Sequence, residues 1–187
     1  MDNFFENKVI SEKLLKERII MLDEEINSKS AGNIVSKLLY LNSEGDEDIK
    51  LYINSPGGEV SSGLMIIDTM NLISCDVQTI SIGTSASMAA IILMSGTKGK
   101  RMILPNSKVM IHDLFGEAKG KFNDVLTEFE EMNKTRKTIC NIISNNTAIT
   151  NDQLENCLKK DFWINSSEAV KYGIVDKVIT KEVEPSF

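Results

Sequence analysis

The chain has 187 residues, 42% hydrophobic and 26% charged, with 21 Lys plus Arg against 27 Asp plus Glu for a formal net charge of −6. That is the profile of a folded domain with its own core, and it excludes a disordered chain, a collagen and a disulfide-stapled mini-protein. The acidic balance argues against a nucleic-acid partner, and the single histidine, His112, excludes a metal site built from several imidazoles of one chain.

In chain order, Ile34, Val35, Leu38, Leu39 and Leu41 follow helical spacing. Ile49, Leu51 and Ile53 alternate with Lys50 and Tyr52, the pattern of a half-buried strand, and Ser55-Pro56-Gly57-Gly58 breaks it. Val60, Leu64, Ile67 and Met70 predict a second helix. Val77 to Ile82 predicts a strand that stops at Gly83. Ser87 to Ser95 reads as a helix apolar all round, hence buried. Met102-Ile103-Leu104 and Val109-Met110-Ile111 are short strands around Pro105-Asn106. A long helix is expected from about Phe122 to Asn146, with Phe122, Val125, Leu126, Phe129 and Met132 on one face. Thr150 and Gln153 have capping-box spacing ahead of a short helix. Phe162-Trp163-Ile164 reads as a strand, Ser166 as the cap of a helix that Gly173 ends, and Ile174 to Ile179 as a closing strand. Alternating strands and helices over residues 1–187, with no Pro-rich linker and no repeat, predict one α/β domain. The long helix carries more apolar positions than a free surface helix needs, which points to another subunit.

Cys75, Cys140 and Cys157 form no CxxC pair and are odd in number, as in a reducing compartment. Met1 to Glu6 lacks the basic and apolar regions of a signal peptide, and the longest apolar stretch, Met88 to Met94, is too short to span a bilayer. The expectation is a cytoplasmic protein with no membrane contact.

Four features could carry chemistry. Gly57-Gly58 after a strand lets backbone N–H groups approach a ligand or oxyanion, or is a tight turn. Ser85 and Ser87 lie at a strand-to-helix junction, where a serine is either an exposed nucleophile or an N-cap. His112 ends a strand as a general base or a structural residue, and Asp161 begins one as a carboxylate with a chemical role or a surface charge.

Together these segments resemble the proteolytic-subunit family of the Clp protease. The resemblance is carried by Ile53-Asn54-Ser55-Pro56-Gly57-Gly58, Ala86-Ser87-Met88 and Leu104-Pro105-x-Ser107-x-x-Met110-Ile111-His112. Leu14 to Ile20 and Glu168-Ala169-Val170-x-Tyr172-Gly173-x-Val175-Asp176 extend it over nearly the whole chain. It implies Ser87 as nucleophile, His112 as base and Asp161 as the third triad member, with the N–H groups of Gly58 and Met88 as oxyanion hole; Ser85 then drops out. It also implies a crotonase-like spiral of ββα units with a protruding handle at about 116–146. Two stacked seven-membered rings, a tetradecamer, would enclose unfolded protein substrates delivered by an AAA+ unfoldase ATPase. No cofactor or metal is implied.

This sequence also departs from the family. Residues 1–13 form a shorter N-terminal segment than usual, and Lys50 stands where an aromatic is common on the ATPase-docking strand, while Tyr52 is kept. Asp113-Leu114 replaces the usual Gln-Pro, and Lys160 an arginine of inter-ring pairing. A divergent paralogue is the reading these changes suggest. The alternatives are a catalytically weak or regulatory subunit that needs a partner ring of a second paralogue, or a crotonase-type acyl-CoA enzyme.

Overall fold

The structure, a computed structural model, describes residues 2–180; Met1 and residues 181–187, with Pro185, lie outside the described residues. It is a mixed α/β architecture in which a seven-stranded sheet carries helices. Helix α1 (Asp2–Lys16) leads into β1 (Ile19–Leu22), α2 (Ser28–Glu44), β2 (Ile49–Ser55), α3 (Val60–Leu72), β3 (Val77–Ala86) and α4 (Met88–Met94). Strands β4 (Arg101–Ile103) and β5 (Lys108–Ile111) follow, then α5 (Phe122–Asn146), α6 (Asn151–Cys157), β6 (Phe162–Asn165), α7 (Ser166–Lys171) and β7 (Lys177–Val178).

The main sheet runs β1-β2-β3-β4-β7, with every neighbouring pair parallel. Parallel strands are covered on both faces and therefore apolar. Ile49, Leu51 and Ile53 of β2 are fully buried, as are Ile20 and Leu22 of β1. Helix α4 supplies the opposing layer, and all seven of its residues are buried, as its uniform apolarity predicts. Helix α2 is started by Asn27, whose side chain accepts from the N–H groups of Lys29 and Ser30 while the Ser30 hydroxyl accepts from the Asn27 N–H. It buries Ile34, Leu38 and Leu41 on one stripe.

Strand β3 positions the site, and it is longer than expected. Its first half pairs with β4 (Thr79↔Arg101 to Ser81↔Ile103), and beyond Gly83 it continues to Ala86 by pairing with β5 (Thr84↔Lys108 to Ala86↔Met110). A break in the β2 register between Ile53 and Ser55 accompanies this bend, and the Asn54 side chain fills it by accepting from the Thr84 N–H at 3.0 Å. Gly83 therefore marks a bend rather than an end. Antiparallel β6 adds to the outer edge of β5.

Two further expectations are corrected near the C-terminal end. The cap of α7 is Asn165, not Ser166: its side chain accepts from the Glu168 N–H, and the Glu168 carboxylate accepts from the Asn165 N–H. The closing strand spans Lys177–Val178 rather than residues 174–179. The N–H groups of Ile174 and Val175 turn back to the Ala169 carbonyl to finish α7, and Asp176 is engaged by Arg101. Among the described residues, no helix is long and apolar enough to cross a membrane.

Candidate active site

Strand β3 delivers Ser87 to the tip of a sharp turn. Its φ of 53° and ψ of −124° lie where an L-residue is strained, at a cost of about 1–3 kcal/mol. The surroundings hold it there. The Ser87 N–H donates to the Met110 carbonyl on β5 at 2.8 Å, and the Ser87 carbonyl accepts from the Ala90 and Ile91 N–H groups as α4 begins. Ser87 occupies the cap position of α4, yet its hydroxyl makes no cap hydrogen bond. Instead Oγ lies 2.8 Å from Nε2 of His112.

Ser85 is two residues away and has the opposite fate. It is fully buried, its hydroxyl is 2.8 Å from that of Ser81, and its backbone pairs with Val109. It is a structural residue of the sheet interior.

His112 follows the last residue of β5. The β5–β6 register runs to Ile111↔Phe162, so one more step sets His112 opposite Asp161. Side-chain contact is looser than that placement allows: Nδ1 of His112 and Oδ1 of Asp161 are 4.0 Å apart, beyond hydrogen-bond range, and the Asp161 side chain is 64% exposed.

The Gly57-Gly58 turn lines the same cleft as Ser87 and His112, a cleft that Asp161 does not line. A Cβ on Gly57 would come within 2.7 Å of the Ala86 carbonyl and of Ser87 Cβ, so the bare backbone packs directly on the Ser87 turn. Gly58 has φ of 147°, and a Cβ there would sit 2.1 Å from the Ile26 carbonyl oxygen. The Ile26 N–H donates to the Gly57 carbonyl, and the Glu59 N–H to the Ile26 carbonyl, both at 2.8 Å. The loop after β1 thus braces the turn from beneath. Gly58, Ser87, Met88 and His112 line one cleft of about 380 Å³ whose walls include Val60, Ile91 and Ile139. Met88 opens α4, so its N–H is a helix-start donor without an intrahelical partner.

The motif pattern does not signal a cross-link that starts at the cleft wall, where Asp113 stands. Asp113, directly after His112, accepts from Nε of Arg136 at 2.9 and 3.1 Å, while both terminal guanidinium nitrogens of Arg136 donate to Glu155 at 3.2 and 3.0 Å. Glu155 and then Asp113 push the guanidinium pKa further up, and Arg136 holds the Glu155 carboxyl below its usual value. These partners are far apart in sequence and on different elements, so no spacing signals them.

A second concavity, about 800 Å³, lies elsewhere, between the end of α1, α2 and the start of β2, with Leu15, Tyr40, Leu41, Arg18, Glu44 and Lys50 on its walls. Lys50 therefore borders a groove of mixed polar and apolar lining. Burial raises the pKa of the Tyr52 phenol on the same strand.

A hydroxyl on a strained turn, an imidazole at hydrogen-bond distance and a glycine turn across the cleft can perform nucleophilic attack on a carbonyl. A family model described as Clp protease matches residues 4–182, and the chain belongs to that family.

Proposed function

We propose that this Clp-family peptidase is a serine endopeptidase whose nucleophile is Ser87 and whose base is His112. The observation that carries the reading is the 2.8 Å contact between Ser87 Oγ and His112 Nε2 at a turn held in strained geometry. In the mechanism, Ser87 Oγ attacks a peptide carbonyl as His112 takes its proton. The imidazolium then protonates the leaving amine, and water repeats the sequence to release the acyl group. The N–H groups of Gly58 and Met88 would take the oxyanion. Asp161 would accept from Nδ1–H and favour the imidazolium, which requires the 4.0 Å gap to close by about 1 Å.

The assembly proposed with it is a pair of stacked heptameric rings fed with unfolded protein by an AAA+ ATPase in the cytoplasm. The first part of α5 supports an inter-subunit role, because only Ile139 and Ile143 of that helix are buried, while Phe122, Leu126 and Phe129 are exposed. A second reading, a weakly active or regulatory subunit that needs a partner ring, is favoured by one observation: Asp161 stands off from His112 and is largely exposed. A crotonase-type acyl-CoA enzyme would not depend on Ser87.

The test is to purify the chain, measure its mass in solution and assay a fluorogenic peptide with wild type and Ser87→Ala. The expected result is a ring-sized particle whose cleavage falls on the order of 10⁶-fold in the variant. A ring that cleaves nothing until a second subunit is added would support the regulatory reading. Acyl-CoA turnover that survives Ser87→Ala would refute the peptidase assignment.

A further inference from the structure

His112 and Asp161 stand at the open end of the β5–β6 ladder. Pairing ends at Ile111↔Phe162, so the next opposed pair is the imidazole and its carboxylate, 4.0 Å apart. Two segments diverge from that point: Asp113-Leu114 beyond β5, and the stretch from α6 to β6 that carries Asp161. Arg136 on α5 holds both. Its Nε binds Asp113, one residue past the base, and its Nη1 and Nη2 bind Glu155 on α6, ahead of the carboxylate.

We propose that Arg136 is a positioning residue whose single guanidinium ties the segments carrying His112 and Asp161 together and so sets the imidazole–carboxylate gap. The inference rests on the peptidase reading of Ser87 and His112. The planar fork suits the task, because it presents one edge to each carboxylate at once; an ammonium is a point charge and cannot fix the two in one plane. The three side chains are 31%, 42% and 61% exposed, so their pairing adds little to stability. Its consequence is alignment, where an error of about 1 Å costs on the order of 10²-fold in rate.

The test uses the fact that the chain has one histidine. ¹⁵N-labelled wild type should show the neutral imidazole protonated on Nδ1, with Nε2 left to accept from Ser87. Arg136→Ala should shift it toward the Nε2–H tautomer, as Asp161→Ala should, and lower kcat by about 10- to 100-fold with KM within about twofold. Arg136→Lys should recover only part of the loss. Arg136→Ala combined with Asp161→Ala should be no slower than Asp161→Ala alone, because the first acts through the second. Glu155→Gln, which removes one arm and leaves the charge of Arg136, should give the same shift more weakly if Arg136→Ala fails to fold. Wild-type tautomer and kcat in these variants would overturn the proposal, as would losses that multiply in the double variant. If wild type cleaves no peptide, alone or with a second subunit, the peptidase reading fails on its own, and the tautomer comparison still decides the role of Arg136.

Discussion

At the residue scale, the cleft depends on backbone positions that cannot relax. Gly58 lines the cleft with φ of 147° and the Ile26 carbonyl 2.1 Å from where a Cβ would be. Gly58→Ala must displace either the Gly57-Gly58 turn or the loop that braces it. The expected outcome is a fall in kcat of about 10²–10³-fold, the scale of losing one oxyanion donor, with a lower melting temperature. Peptide hydrolysis and a thermal melt on the same preparation check it; an unchanged kcat would remove Gly58 from the mechanism. Ser87, His112 and the two glycines each sit where an element ends, which alone leaves a structural role open for all four; the resemblance to the Clp protease family is what singles them out. The choice between Ser85 and Ser87 was open from spacing alone. Their surroundings differ: the Ser85 hydroxyl bonds Ser81 inside the sheet, while that of Ser87 meets His112.

At the element scale, the sheet is closed by an ion pair rather than by a long last strand. Arg101, at the start of β4, donates from Nη2 to Asp176 at 2.7 Å and from Nη1 to the Met94 and Asn146 carbonyls, and its side chain is 6% exposed. Burial acts to raise the Asp176 pKa, but the side-chain and backbone bonds from Arg101 outweigh it and hold the carboxyl below its usual value. Its contribution to stability is therefore complete above the unfolded value of about 3.9 and is lost as pH falls through the folded one. Asp176→Asn leaves Arg101 buried beside a neutral amide and should cost about 3 kcal/mol at pH 7. The wild-type advantage in urea melts should shrink on acidification below about pH 4; a difference constant with pH would contradict this account. The Arg101–Asp176 pair also explains why the Ile174–Ile179 stretch reads as a strand and yet forms only Lys177–Val178. Strand β1 was hidden for a different reason. Ile19-Ile20-Met21-Leu22 is a short apolar run without alternation, which periodicity cannot classify. Residue type alone does not single out the Asn165 cap, because Ser166 beside it is an equally good cap, although Glu168 stands at capping-box spacing from Asn165.

At the scale of the whole molecule, the chain exposes large apolar side chains around α5 and the segment before it. Phe115 is 89% exposed, and Phe122 and Phe129 of α5 are 77% and 60% exposed. The excess was legible as an apolar stripe on a long helix. The Asp113–Arg136–Glu155 cross-link was not, since it joins three elements that only the fold brings together. What the α/β frame accomplishes as a unit is to hold one hydroxyl at a strained turn against the chain's one imidazole. The most direct measurement of that claim is labelling with a fluorophosphonate, followed by intact mass and peptide mapping. The account predicts a single adduct, on Ser87, absent in Ser87→Ala and formed at least about 10³-fold more slowly in His112→Ala. An adduct on another serine, or labelling that proceeds undiminished without His112, would contradict it.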